Sequence, residues 1–133
     1  MIVHHIGYAV RDIDQCVPVF EALGFSVLGS VTEDERRSVR LLFMKNESDV
    51  IELVAPLHTP SPVDGVLAKI GAGPYHICYS VDEISVAVEE LRKKGFLTIS
   101  QTEVAPAING ANVSFLYNPA LGVIELVEKR GQN

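Results

Sequence analysis

Apolar positions follow two periods along this chain. In YHICYSV, residues 75–81, and in VIELV, residues 50–54, they run almost without a break, which suits a strand buried on both faces. Between such runs they recur at helical spacing, as in Ile84, Ala87, Val88 and Leu91. Asp82 is placed to cap that helix. Arg92, Lys93 and Lys94 oppose the negative end of its dipole, and Gly95 supplies the residue that stops it. An earlier helix follows HIGYAV with Asp12 or Asp14 as its cap. Proline is tolerated in a first turn only, so Pro18 predicts a late start or a bend. Strands are expected at residues 25–29, 39–44 and 50–54, and again at 96–100, 112–117 and 123–127.

The resulting order is βαβββ, written twice, and the residues themselves repeat. At an offset of 71, His5 meets His76, Ile6 meets Ile77, Tyr8 meets Tyr79, Val10 meets Val81 and Ile13 meets Ile84. Val17 likewise meets Val88, and the Gly24–Phe25 pair meets Gly95–Phe96. VIELV occurs word for word at residues 50–54 and 123–127, an offset of 73, so the halves stay in step within two residues. A duplicated module follows, the first copy spanning about 2–57 and the second about 73–129 of a single 133-residue domain. Between them Ser61 and Pro62 open a short linker helix over about 61–70, and the charged TEDERR, residues 32–37, reads as a loop or hairpin tip.

A carboxylate at the centre of VIELV needs a reason in both copies. Strand alternation puts Glu52 among apolar neighbours, and a bare buried charge costs several kcal/mol. His5 and His76 hold equivalent places on the first strand of each copy, Glu52 and Glu125 on the last. Two imidazoles, two carboxylates and one divalent cation would satisfy one another's charge and hydrogen bonding. The plainer reading, a rim glutamate on a core strand, fits either motif alone but not the joint retention of His with His and Glu with Glu. His4 falls on the face opposite His5, His58 lies in a proline-rich loop, and Tyr8 and Tyr79 read as core or pocket wall.

Composition narrows the partners. The net charge is −6 and no Lys/Arg cluster could follow a phosphate backbone, so neither nucleic acid nor an anionic membrane is expected and a small molecule is. Cys16 and Cys78 are too few for a disulfide framework. The basic start and long apolar run of a leader are missing from MIVHHIGYAV, which predicts a cytoplasmic protein.

HHIGYAV, ELVAPL followed by SP, PYHICYSVDEI and GVIELVE together resemble the vicinal-oxygen-chelate, or glyoxalase-fold, superfamily over nearly the whole chain. The resemblance implies an α+β fold in which paired βαβββ modules form a curled mixed sheet around a metal. His5, Glu52, His76 and Glu125 would be the ligands of one divalent ion (Ni, Co, Zn, Mn or Fe). It also implies a homodimer. The reaction implied is proton transfer α to a carbonyl through an enediolate, with Glu125 or Glu52 as the base. The substrate is then a thiol adduct, as in a glyoxalase I (lactoylglutathione lyase), which the compact length and the His/Glu ligand set favour. The alternative is the acyl thioester of a methylmalonyl-CoA epimerase. Against that alternative, YNPALG stands where an HPK and a GG are expected, and Arg40 stands where some epimerases carry a further glutamate base. An extradiol-type oxygenase, which needs two His and one carboxylate, and a metal-free ligand-sequestering resistance protein are the remaining readings.

Overall fold

The computed structural model describes residues 1–129. Chain contacts divide it into two compact units, His5–Tyr75, and Met1–His4 together with the chain from His76 onward. In the first module of the chain, β1 (Ile2–Ala9) leads into α1 (Ile13–Ala22), β2 (Ser26–Asp34), β3 (Val39–Asn46), β4 (Asp49–Pro56) and α2 (Asp64–Lys69). The second carries β5 (Gly73–Val81), α3 (Ile84–Arg92), β6 (Leu97–Thr98), β7 (Glu103–Ala105), a 3-10 turn (Pro106–Ile108), β8 (Ala111–Asn118) and β9 (Gly122–Glu128). The doubled βαβββ order is present, with one change. The second strand of the later copy is broken into β6 and β7, where the earlier copy keeps β2 whole but shifts its register between Leu28 and Thr32.

Each unit builds the same mixed sheet. The spatial order is β2-β3-β4-β1 in one and β5-β9-β8-β6 in the other, with β7 also on β8. The first and last strands of each copy run parallel, β1 beside β4 and β5 beside β9, and the remaining pairs are antiparallel. One face of each sheet is closed by a helix. Ile13, with Cys16, Val17 and Phe20, packs on Leu42, Met44, Ile51, Leu53 and Ala55. Ile84 and Ala87, with Val88 and Leu91, pack on Leu116, Ile124 and Leu126 in the same way. Burying one such Leu or Ile contributes about 1.5–3 kcal/mol, enough to fix which face the helix covers.

Both helices stop by one device. Gly24 (φ 98°) and Gly95 (φ 94°) take the left-handed conformation, their N–H groups donating to the Glu21 and Arg92 carbonyls. Phe25 and Phe96 donate to Phe20 and Leu91, completing two Schellman ends. Asn46 and Asn118 each add a side-chain amide bond to the last turn, on the Leu23 and Lys94 carbonyls.

Helix starts depart from expectation. Asp12 caps α1, its Oδ1 accepting from the Gln15 N–H at 3.3 Å, and the helix neither starts late nor avoids Pro18, which lies well inside it. The carbonyl that Pro18 leaves without a helical donor is that of Asp14, an exposed residue. Asp82 does not cap α3. It is exposed and pairs with Lys129 at 3.4 Å, while the first N–H of the helix, on Ile84, donates to Glu128 Oε2 of β9 at 2.9 Å. Helix α2 is shorter than the expected linker, and the Ser61 side chain makes no cap. The bond runs the other way, from the Ser61 N–H to Asp64 Oδ2 at 2.7 Å, half of a capping box. Residues 32–37 do form a hairpin tip, where buried Asp34 accepts from the Arg37 backbone and guanidinium.

The exchanged cap gives a test. Glu128→Ala should destabilise the protein by about 1–2 kcal/mol, and Asp82→Ala by well under 0.5 kcal/mol, in urea denaturation followed by circular dichroism. Equal losses would return the cap to Asp82.

Candidate active site

The helix-free face of each sheet carries one His–Glu pair. In the first unit Gly7 of β1 lies beside Glu52 of β4, which puts His5, two residues earlier, on the same face as Glu52. His5 Nε2 stands 3.4 Å from Glu52 Oε1, and both residues are buried, at 1% and 5% exposure. In the second unit Cys78 lies beside Glu125, so His76 shares the Glu125 face. There His76 Nε2 and Glu125 Oε1 are 3.0 Å apart, again with both groups buried.

An aromatic ring completes each pair. Phe43 lies directly across from Glu52, and its ring meets the His5 imidazole edge-on at 5.2 Å between centroids. Phe115 lies across from Glu125 and meets His76 edge-on at 5.6 Å. These phenylalanines were not among the expected site residues. The signal was present, since FMKN (residues 43–46) and FLYN (residues 115–118) repeat Phe-x-x-Asn at an offset of 72, the Phe buttressing the imidazole and the Asn ending the helix.

The separations suit a cation. Imidazole nitrogens and carboxylate oxygens bonded at about 2.0–2.2 Å to one ion lie roughly 3.0–3.5 Å apart as neighbouring ligands, the range both pairs occupy. A His Nε2 and a Glu oxygen form a donor set for borderline divalent metals. Each pair by itself supplies two ligands.

The other residues singled out above lie elsewhere. Tyr8 and Tyr79 pack beneath the helices as core, Tyr8 edge-on to Phe20 at 5.1 Å. His58 is exposed and pairs with Glu35 at 2.8 Å, clipping the hairpin tip to the loop after β4. His4 lines a cavity of about 370 Å³ with Ser80, Ile108, Asn109, Glu128 and Lys129. Arg40 takes the helix side. Its neighbour across the strand is Ala55 of the helix-side core, so it points away from Glu52 and approaches Glu33 at 3.5 Å. The β3 residues that share the Glu52 face are Val39, Leu41, Phe43 and Lys45.

Comparison with known proteins agrees with this architecture. Residues 4–130 match the family profile of the glyoxalase/bleomycin resistance protein/dioxygenase superfamily, and the chain belongs to that superfamily. It is 35% identical over 127 residues to human mitochondrial methylmalonyl-CoA epimerase, across 94% of this chain and 70% of the relative. Among solved structures it resembles a hypothetical protein, BH1468, of Bacillus halodurans, with 30% identity, a TM-score of 0.86, and coverage of 98% and 96%. A variant of Streptomyces coelicolor methylmalonyl-CoA epimerase in complex with 2-nitronate-propionyl-CoA also gives a TM-score of 0.86, at 26% identity with coverage of 98% and 96%. No helix among the described residues is long and apolar enough to cross a membrane.

The aromatic buttress is measurable. A double-mutant cycle between Phe43→Leu and His5→Ala should give a coupling of about 0.5–1.5 kcal/mol in unfolding free energy. The same cycle with Arg40→Ala in place of Phe43→Leu should be additive, because Arg40 faces the other way.

Proposed function

We propose that the chain is a metal-dependent isomerase of the methylmalonyl-CoA epimerase type, with His5, Glu52, His76 and Glu125 as the four ligands of one divalent cation. The observation that carries this reading is the duplicated buried His–Glu contact, 3.4 Å in one copy and 3.0 Å in the other. The names borne by the relatives favour the epimerase over the glyoxalase I-like lyase that the compact length and ligand set first suggested.

The cation would supply Lewis acidity, withdrawing charge from a thioester carbonyl so that the adjacent carbon becomes acidic. The protein's own part is proton management. One of the two glutamates, Glu125 or Glu52, takes the proton from the α-carbon, and a proton returned to the opposite face inverts the centre. One C–H bond breaks and one forms, with no oxidant or reductant. The phenylalanines hold the imidazoles in place and keep the pairs dry, which strengthens every charge interaction within them. A homodimer acting on a soluble acyl thioester completes the reading.

Proton NMR in heavy water tests it. The purified protein should wash deuterium into C2 of methylmalonyl-CoA and not into the hemithioacetal of methylglyoxal and glutathione, whose turnover would instead restore the lyase. Glu125→Gln should lower the exchange rate by about 10²–10⁴-fold. Elemental analysis should find about one divalent ion per chain, lost in His5→Ala and in His76→Ala. Retention of metal in Glu52→Gln, with exchange into neither substrate by the wild type, would indicate the two-His, one-carboxylate oxygenase, and a protein without metal would indicate sequestration.

A further inference from the structure

We propose that His4 and Cys78 form a second metal site, separate from the four His and Glu residues, and that the cation it takes is thiophilic and two-coordinate, as Cu(I) is. The inference is independent of the epimerase reading.

Proximity carries it. Both residues belong to the compact unit made of Met1–His4 and the chain from His76 onward. A ring nitrogen of His4 and the Cys78 sulfur lie within 4.8 Å of one another. One ion bonded at about 2.3 Å to sulfur and about 2.0 Å to nitrogen spans such a gap when the two bonds are close to collinear. The pair is not a product of the duplication. At the offset of 71 that superposes the copies, Tyr75 answers to His4 and Gly7 to Cys78, so neither member is a residue that the βαβββ module needs in both halves.

The surroundings select the ion. Cys78 is fully buried and packs among Ala105, Ala111, Val113 and Val127, with Ile108 against them. That apolar wall offers no oxygen to complete an octahedral or tetrahedral shell, and a thiolate is a soft donor. The pair therefore suits a cation that is content with one sulfur and one nitrogen, and not Mg²⁺, Ca²⁺ or a four-coordinate Zn²⁺. His4 supplies the way in. It is half-buried and lines the cavity of about 370 Å³, together with Ile108, Ala111 and Val127 from the wall around Cys78. The thiol gives up its proton to water as the Cu–S bond forms, with no change of oxidation state. Cys78 is also the strand neighbour of Glu125, so a cation on its sulfur adds positive charge beside the buried His76–Glu125 pair.

The test is competition for Cu(I) against a chromophoric chelator, under argon with ascorbate, on the protein as purified. Wild type should bind about one Cu(I) per chain and show a thiolate-to-copper charge-transfer band in the ultraviolet. Cys78→Ala should abolish the band. His4→Ala should weaken binding by at least about 10–100-fold, since a direct ligand counts for no less than the outer partners whose loss costs that much. Cu(I) is diamagnetic, so the His4 ring signals should shift in proton NMR while those of His58, exposed and paired with Glu35, stay in place. Cys16→Ser and Glu125→Gln should leave the affinity unchanged. Copper held equally well by Cys78→Ala or by His4→Ala overturns the inference. So does its loss in Cys16→Ser, which would move the sulfur ligand beneath α1, or in Glu125→Gln, which would assign the ion to the His76–Glu125 pair. Should Cys78→Ala fold poorly, the His4 shift in wild type decides by itself, and its absence at full copper occupancy overturns the inference.

Discussion

A carboxylate that folding takes out of water has to be compensated, and in this chain that constraint applies twice, at Glu52 and at Glu125. Each lies at the centre of a strand whose neighbours are apolar, and each is about 95% removed from solvent. Leaving such a charge bare costs several kcal/mol, so the fold has to deliver a partner to the same face of the same sheet. Parallel pairing of the first and last strands does this. It sets Gly7 beside Glu52 and Cys78 beside Glu125, and the histidine two residues upstream then reaches back along the strand. In each module the helix covers the opposite face of the sheet, so the His–Glu face carries no helix.

The helix-side architecture serves the same end. Both helices end on a left-handed glycine followed by phenylalanine, with an asparagine from the third strand bonded to the last turn. That asparagine lies three residues beyond the phenylalanine that meets the imidazole. The strand that buttresses the site therefore also fixes the helix end. An error in the register of β3 or β8 would disturb both at once, because a one-residue slip turns every side chain to the opposite face.

Much of this was legible in the sequence because it was written twice. The βαβββ order, the helix faces around Ile13 and Ile84, the glycine stops and the four His and Glu positions all follow from periodicity and self-comparison. What escaped depended on contacts between residues distant in sequence. Nothing near Ile84 reveals that its N–H would be met by Glu128 from the last strand, with Asp82 left in solvent. Pro18 lies inside α1 instead of in its first turn, and the residue whose carbonyl it leaves without a donor, Asp14, is exposed, which lowers the penalty for an interior proline. The face that Arg40 takes was likewise not legible from residue type and position along the strand. Only the pairing of Arg40 with Ala55 shows that it belongs to the helix side.

Where the copies differ is as informative as where they agree. Duplicated modules present equivalent groups twice, and two identical faces would give an unsymmetrical substrate no preferred orientation. The two copies differ away from the four His and Glu positions. The hairpin tip held by Asp34 and Arg37 becomes Ala105 and a 3-10 turn in the later copy, and β2 is split there. On the His–Glu face of that copy, Cys78, Ala105, Ala111, Val113 and Val127 form a small apolar cluster. The earlier copy carries a buried carboxylate and an exposed lysine on the equivalent face, at Asp34 and Lys45. Keeping the His–Glu pair alike in both copies while polarising its surroundings separates what the two buried carboxylates require from what the rest of each face is free to vary.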